Sequence, residues 1–179
     1  WGRPLTGIDD VFGYLGAIQG QEFGVSKWSI GQRTKGVTHA DIDRAFAEGT
    51  ILRTHTLRPT WHLVSNEDIR WIQQLTGPRV RATLNAPFQQ ADVTPRLVAK
   101  AERAFTKALR GGAHMTRAEL SEVLGGHGIE ATGVRMGWFT AAAELDAVIC
   151  SGPRCWRLRS ISRRARKARR RCRINATRC

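Results

Sequence analysis

No stretch of this 179-residue sequence approaches the roughly 18 consecutive apolar residues that a membrane helix needs, so no membrane partner is expected. Trp1 to Gln21 lacks a basic start followed by an apolar run, so no secretory signal is read and the cytoplasm is the expected compartment. Cysteine is scarce and late: Cys150, Cys155, Cys172 and Cys179 form no C-x-x-C and have no partnering histidine cluster. That spacing points to no metal site, and reduced thiols are expected in the cytosol. Acid is missing altogether after Asp146. Residues 147–179 hold 12 Lys and Arg, whereas residues 1–146 hold 17 against all 15 acids. The body is therefore nearly neutral at +2, and +12 of the formal charge of +14 belongs to residues 147–179. A tail of this kind fits either a basic arm for nucleic acid or a frameshifted reading of a GC-rich gene, and it has no apolar face to bury.

What remains is a globular body, 41% hydrophobic over the whole chain, with two runs of similar order. In the first, Val11, Phe12, Leu15 and Ile18 recur at helical spacing over Asp9 to Ile18. Glu22 to Arg33 reads as a second helix, with Phe23, Val25, Trp28 and Ile30 apolar and Glu22 an ordinary first-turn carboxylate favoured by the helix dipole. Thr38 with Asp41 caps a third helix from Ala40 to Glu48, closed by Gly49. A hairpin follows. Residues 51–57 alternate like a strand, Arg58-Pro59-Thr60 breaks them, and Trp61 to Val64 returns. Ser65 then opens a long helix to about Leu75, or to Leu84 with an interruption at Pro78.

The second run repeats this order. Thr94-Pro95 starts a helix to about Leu109, and T-x-x-E at Thr116 and Glu119 caps Arg117 to Leu124. Thr132 to Leu145 is a third helix, Ala147 to Cys150 a strand, and Cys155 to Leu158 a returning strand. Three helices and a hairpin make a winged helix-turn-helix. The expected fold is mainly α with small β hairpins, as tandem winged helix-turn-helix modules. The modules fall at residues 5–64 and 94–158, with a connecting helix and linker over 65–93 and a basic, disordered tail over 159–179. Trp28, Trp71 and Trp138 fall at apolar helical positions and read as core.

Gln19-Gly20-Gln21 stands at the turn between the first two helices, followed by Leu57-Arg58-Pro59-Thr60-Trp61-His62-Leu63-Val64 and Glu67-Asp68-Ile69-Arg70-Trp71. These segments resemble the AlkZ-type winged-helix family of DNA glycosylases. Its members show a Q-x-Q motif, an R-x-T-x-H-L hairpin and an E-D-x-x-W helix start. The similarity covers about residues 5–154 and stops near Pro153, as a fragment or frameshifted member would. The family's middle residue in Q-x-Q is usually aliphatic or Ala; here it is Gly20.

The resemblance implies that Gln19 and Gln21 are catalytic in excising alkylated bases or unhooking crosslinks in double-stranded DNA, without a cofactor. The chemistry agrees. A cationic alkylated purine is already a good leaving group, so the protein mainly has to place a water. Glutamine carbonyls accept hydrogen bonds from that water but are not Brønsted bases near neutral pH. Candidate DNA contacts are Arg58, Trp61 and His62 on the hairpin, with Lys27, Arg33 and Lys35 around the second helix. Two alternatives stay open: a non-catalytic winged-helix DNA binder or regulator, and a protein-interaction module, which the near-neutral body favours.

Overall fold

The computed structural model describes residues 4–151 and the backbone of residues 157–160. It is mainly helical with one small antiparallel sheet. Helix α1 (Ile8–Leu15) ends where Gly16 turns left-handed at φ 72° and donates its N–H to the Phe12 carbonyl. The chain then leaves the helix. Ala17–Gln19 forms strand β1, so Ile18, expected as the last helical position, is a strand residue. Helix α2 (Phe23–Gly31) is shorter than expected, and α3 (His39–Glu48) carries the full capping box between Thr38 and Asp41, with Gly49 at φ 81° behind it.

Strands β2 (Ile51–Thr56) and β3 (Arg58–Ser65) meet at Leu57, which takes φ 61°. The turn is tighter than the expected break at Arg58-Pro59-Thr60, which is part of β3. Every residue of β2 is buried, so the alternating pattern there does not mark a half-solvated strand. Helices α4 (Ile69–Gln90) and α7 (Gly133–Leu145) pack against this strand.

Helix α4 runs through Pro78 and Pro87 without a break. Each proline forgoes one backbone hydrogen bond, but burial on both halves of the helix offsets the loss. Ile69 and Ile72 join a small cluster with Leu52, Val64 and Cys150, while Val80, Leu84 and Phe88 enter the largest core. That core is completed by α5 (Pro95–Ala108), α6 (Arg117–Gly126) and α7. Thr94 and Thr116 cap α5 and α6 as their sequence signals indicate, Thr116 with Glu119 as a capping box. A separate core holds Val11, Phe12, Ile30, Ile42, Phe46 and Leu63.

Two strands, β4 (Met115–Thr116) and β5 (Ile149–Ser151), join β6 (Arg157–Ser160) at the far side of the sheet, whose order is β1-β3-β2-β5-β6-β4. The pairing of Arg53 with Ser151 joins the two hairpins into one sheet. Arg159 and Ser160 belong to β6, so the expected tail gives up two residues to the sheet; residues 161–179 lie outside the described ones. A buried polar hub fastens the same junction. Gln73 Nε2 donates to Thr54 Oγ1 (3.2 Å) and to the carbonyls of His55 (2.6 Å) and Glu144 (2.9 Å). The Glu144 carboxylate accepts from the His55 N–H at 3.1 Å and from the Ser151 hydroxyl at 3.2 Å, and pairs with the His55 ring.

Two tryptophans expected in the core are outside it. Trp28 is 64% exposed on α2, and Trp71 is 45% exposed, its indole N–H donating to Asp68 at 2.6 Å. Trp138 packs against the large core, its ring 5.9 Å from that of Phe88. No helix among the described residues is long and apolar enough to cross a membrane.

Candidate active site

The Q-x-Q segment is the outermost rung of the sheet. Strand β1 pairs with β3 so that Ala17 opposes Val64, Ile18 opposes Leu63 and Gln19 opposes His62. Gly20 continues the ladder, its N–H donating to the Trp61 carbonyl at 2.7 Å. Gln21 then turns the chain into α2, and its side-chain oxygen faces the Trp61 N–H at 3.4 Å. Gly20 is where backbones crowd. A methyl group there would lie 3.0 Å from Leu63 Cδ2 and 3.2 Å from the His62 carbonyl carbon. A side chain at this position requires Leu63 to give way, so the departure to glycine has a packing reason in this chain.

Beneath the turn lies Arg53, which is 6% exposed. Its Nε donates to the Gly20 carbonyl at 2.7 Å and an Nη to the Gln21 carbonyl at 3.1 Å. The guanidinium also stacks on the Trp61 ring at 4.4 Å. From the other side Ser26 reaches the Gln19 carbonyl (2.9 Å) and the Glu22 carbonyl (2.7 Å). Three consecutive carbonyls of the turn and the one after it are thus held by side chains from β2 and α2. Arg53 was visible in the sequence only as a cation in a strand that also holds Ile51, Leu52, Thr54, His55 and Thr56. A buried cation needs acceptors, but no pattern says that these are backbone carbonyls 32 and 33 residues away.

Held this way, Gln19 and Gln21 are exposed and line a cleft of about 530 Å³ between α1, β1 and α2. Leu15 and Val25 supply apolar wall; Glu22, Ser29 and Arg33 supply polar groups. Arg33 is tied at 2.7 and 2.8 Å to the carbonyl and hydroxyl of Ser29. The structure therefore brings together Gln19, Gln21 and Arg33 of the residues singled out by sequence. Lys35 is exposed just beyond α2, and Arg58 is exposed at the start of β3.

The other candidates sit differently. Lys27 is only 8% exposed, pairs with Asp43 at 2.9 Å and lies 4.9 Å over the Phe23 ring, so it has no free face for a phosphate. Trp61 is half-buried, with Arg53 and Arg117 against its ring and His55 4.6 Å away; its ring is occupied within the fold. His62 is buried, and its Nδ1 faces the Thr60 carbonyl at 3.0 Å. Burial lowers its pKa, with the Arg58 and His55 charges acting the same way against the Thr60 hydrogen bond. Its imidazole is thus held towards the neutral form. No group of three or more metal-ligating side chains occurs among the described residues.

The family model for AlkZ-like DNA glycosylases matches residues 13–176. The chain belongs to the AlkZ-like DNA glycosylase family. The match runs past Pro153, where the motif resemblance was expected to end. Among solved structures the AlkZ-like chain is similar to DNA glycosylase AlkZ of Streptomyces sahachiroi, with a TM-score of 0.76 and 22% identity. That likeness covers 89% of the chain and 45% of the Streptomyces protein, so this sequence spans less than half of its structural relative. None of the curated proteins matches it.

Proposed function

We propose that the chain is a DNA glycosylase module that hydrolyses the N-glycosidic bond of cationic alkylated purines, or of crosslinks of the same chemistry, in duplex DNA. The observation that carries this is the cleft in which both glutamines of the Q-x-Q turn stand exposed together. Their side-chain carbonyls supply acceptors that orient a water towards the sugar carbon as the base departs. A leaving group that is already charged asks for alignment more than for acid. Residues 5–64 and 94–158 serve as two winged-helix modules, with 65–93 between them, and the cleft lies on the first. Arg33 at the cleft and Lys35 and Arg58 on exposed positions are the phosphate contacts of this reading. Lys27, Trp61 and His62 are left out because their partners are internal. A repair role on genomic DNA places the protein in the cytoplasm with the nucleoid.

The test is single-turnover release of 7-methylguanine from duplex DNA by Gln19→Ala and Gln21→Ala beside the parent. Each substitution should slow release on the order of 10²-fold while leaving DNA binding nearly intact, the size expected for losing one preorganised polar contact. A parent that binds DNA but releases no base would make it a binding protein only.

A further inference from the structure

The glutamine cleft contains one group that its sequence motif does not include. Glu22 follows the Q-x-Q turn directly and occupies the N-cap position of α2, with φ −95° and ψ 98°. A carboxylate there ordinarily accepts from the N–H groups of the first helical turn. Here the side chain makes no such bond. It lies instead along the wall of the cleft that Gln19 and Gln21 share, as the one carboxylate lining it among the described residues. The Ser26 hydroxyl binds the Glu22 and Gln19 carbonyls together, so the two backbones keep a fixed relation.

We infer that Glu22 is a further catalytic residue: the carboxylate that steadies the sugar cation and takes the proton of the attacking water. This rests on the glycosylase reading above. As the C1′–N9 bond breaks, its electron pair goes to the alkylated purine, which leaves as a neutral base. The positive charge moves to the sugar, where a carboxylate in the cleft opposes it. Water oriented by Gln19 and Gln21 adds through its oxygen to C1′. Its surplus proton goes to Glu22 and then to solvent, a transfer the glutamines cannot perform. Charge balances: a cationic nucleotide and water give a sugar hydroxyl, a neutral base and one proton.

Glu22 also carries a signature that a binding residue would not. A negative side chain in a DNA-facing cleft repels phosphate, so removing its charge should not weaken binding. The experiment measures single-turnover release of 7-methylguanine and duplex affinity for the parent, Glu22→Gln and Glu22→Asp. Glu22→Gln should lose rate on the order of 10²-fold, the lower end for general acid–base catalysis, with affinity equal or tighter. Its remaining rate should depend less on pH than the parent's does, and Glu22→Asp should recover part of the rate. If the parent releases base and Glu22→Gln matches it, or loses binding in step with rate, the role of Glu22 is overturned and the glutamine site stands. If the parent releases no base from a duplex that it binds, the glycosylase reading and this role fall together.

Discussion

Arg53→Ala removes the support on which the Q-x-Q turn rests, and its cost follows from the contacts. Two charge-assisted bonds end, at 2.7 Å to Gly20 and 3.1 Å to Gln21. Hydrogen bonds to a charged partner contribute about 1.5–3 kcal/mol each. The Gln21 carbonyl belongs to an exposed residue and recovers water, so its share sits low in that range; Gly20 is buried and recovers little. Loss of the stacking on Trp61 adds about 1 kcal/mol. The expected total is about 4–5.5 kcal/mol, against the roughly 5–15 kcal/mol that keeps a domain folded. Arg53→Lys keeps the charge but not the fork, so it should fall between the two. Urea denaturation gives the stability, and base release by protein still folded gives the effect on the site. Release should drop further than DNA affinity, because both glutamines hang from the turn. A loss under about 1 kcal/mol for Arg53→Ala, with parental base release, would refute the claim that Arg53 positions the glutamines.

Gly20→Ala should destabilise by about 1–3 kcal/mol in the same denaturation assay, as overpacking does, because its methyl group meets Leu63 and backbone of His62. Gln73→Leu should cost at least about 2 kcal/mol by urea midpoint, since it strips the donor shared by Thr54, His55 and Glu144 within a buried junction. Trp28→Ala should leave stability within about 0.5 kcal/mol, because the ring is exposed, yet weaken binding of flipped or single-stranded nucleotides by about 1–3 kcal/mol if a base stacks on it; fluorescence anisotropy on a single-stranded oligonucleotide reads this. Burial, then the hydrogen bond and charge of Asp146, raise the Glu102 carboxyl from 4.5 to about 8 against Arg81 and Arg103. A raised carboxyl favours folding while protonated, so stability should be greatest below pH 4.5 as far as this group is concerned and fall as pH rises through about 8. Glu102→Gln should flatten that fall, as seen by comparing parent and variant melting temperatures on either side of the window.

Local chemistry was the most legible layer of the sequence. The T-x-x-D and T-x-x-E boxes and the Thr94-Pro95 start mark helix ends because they satisfy orphan N–H groups within one turn, without help from the rest of the fold. The errors lie where distant contacts decide. Ile18 continues the helical spacing of Val11 and Leu15, yet Gly16 ends the helix and pairing with Leu63 makes Ile18 a strand residue. Pro78 marks an interruption on propensity alone, but the cores on both sides of α4 keep it continuous through the proline. Trp28 lies between the buried Lys27 and Ile30 along α2 and still faces out, since the helix has almost no apolar side to orient it. For the candidate site, the sequence motif pointed to the glutamines, whereas nothing in the sequence pointed to Arg53 or Glu22. Their roles depend on which carbonyls and which cleft wall the fold brings to them.

The geometry also explains why a Q-x-Q turn and an R-x-T-x-H-L hairpin would occur as a pair. They form a single structural object: β1 is the third strand of the hairpin, and Gln19 stands directly across from His62. His62 serves that object from within. Its imidazole is buried and turned to the Thr60 carbonyl at 3.0 Å, beside the register shift of β3 just before the rung that carries Gln19. Trp61 does the same one residue earlier: its carbonyl takes the Gly20 N–H and its ring takes the Arg53 charge. Trp61 and His62 are therefore engaged by their own turn and hairpin, while Arg58 stays exposed. Specificity for a damaged base would then come from the apolar cleft wall of Leu15 and Val25, and the hairpin would set its shape. Substitutions at Trp61 and His62 should accordingly lower stability and base release together. Substitutions at Leu15 or Val25 should change which lesion is released while the melting temperature stays near the parent's.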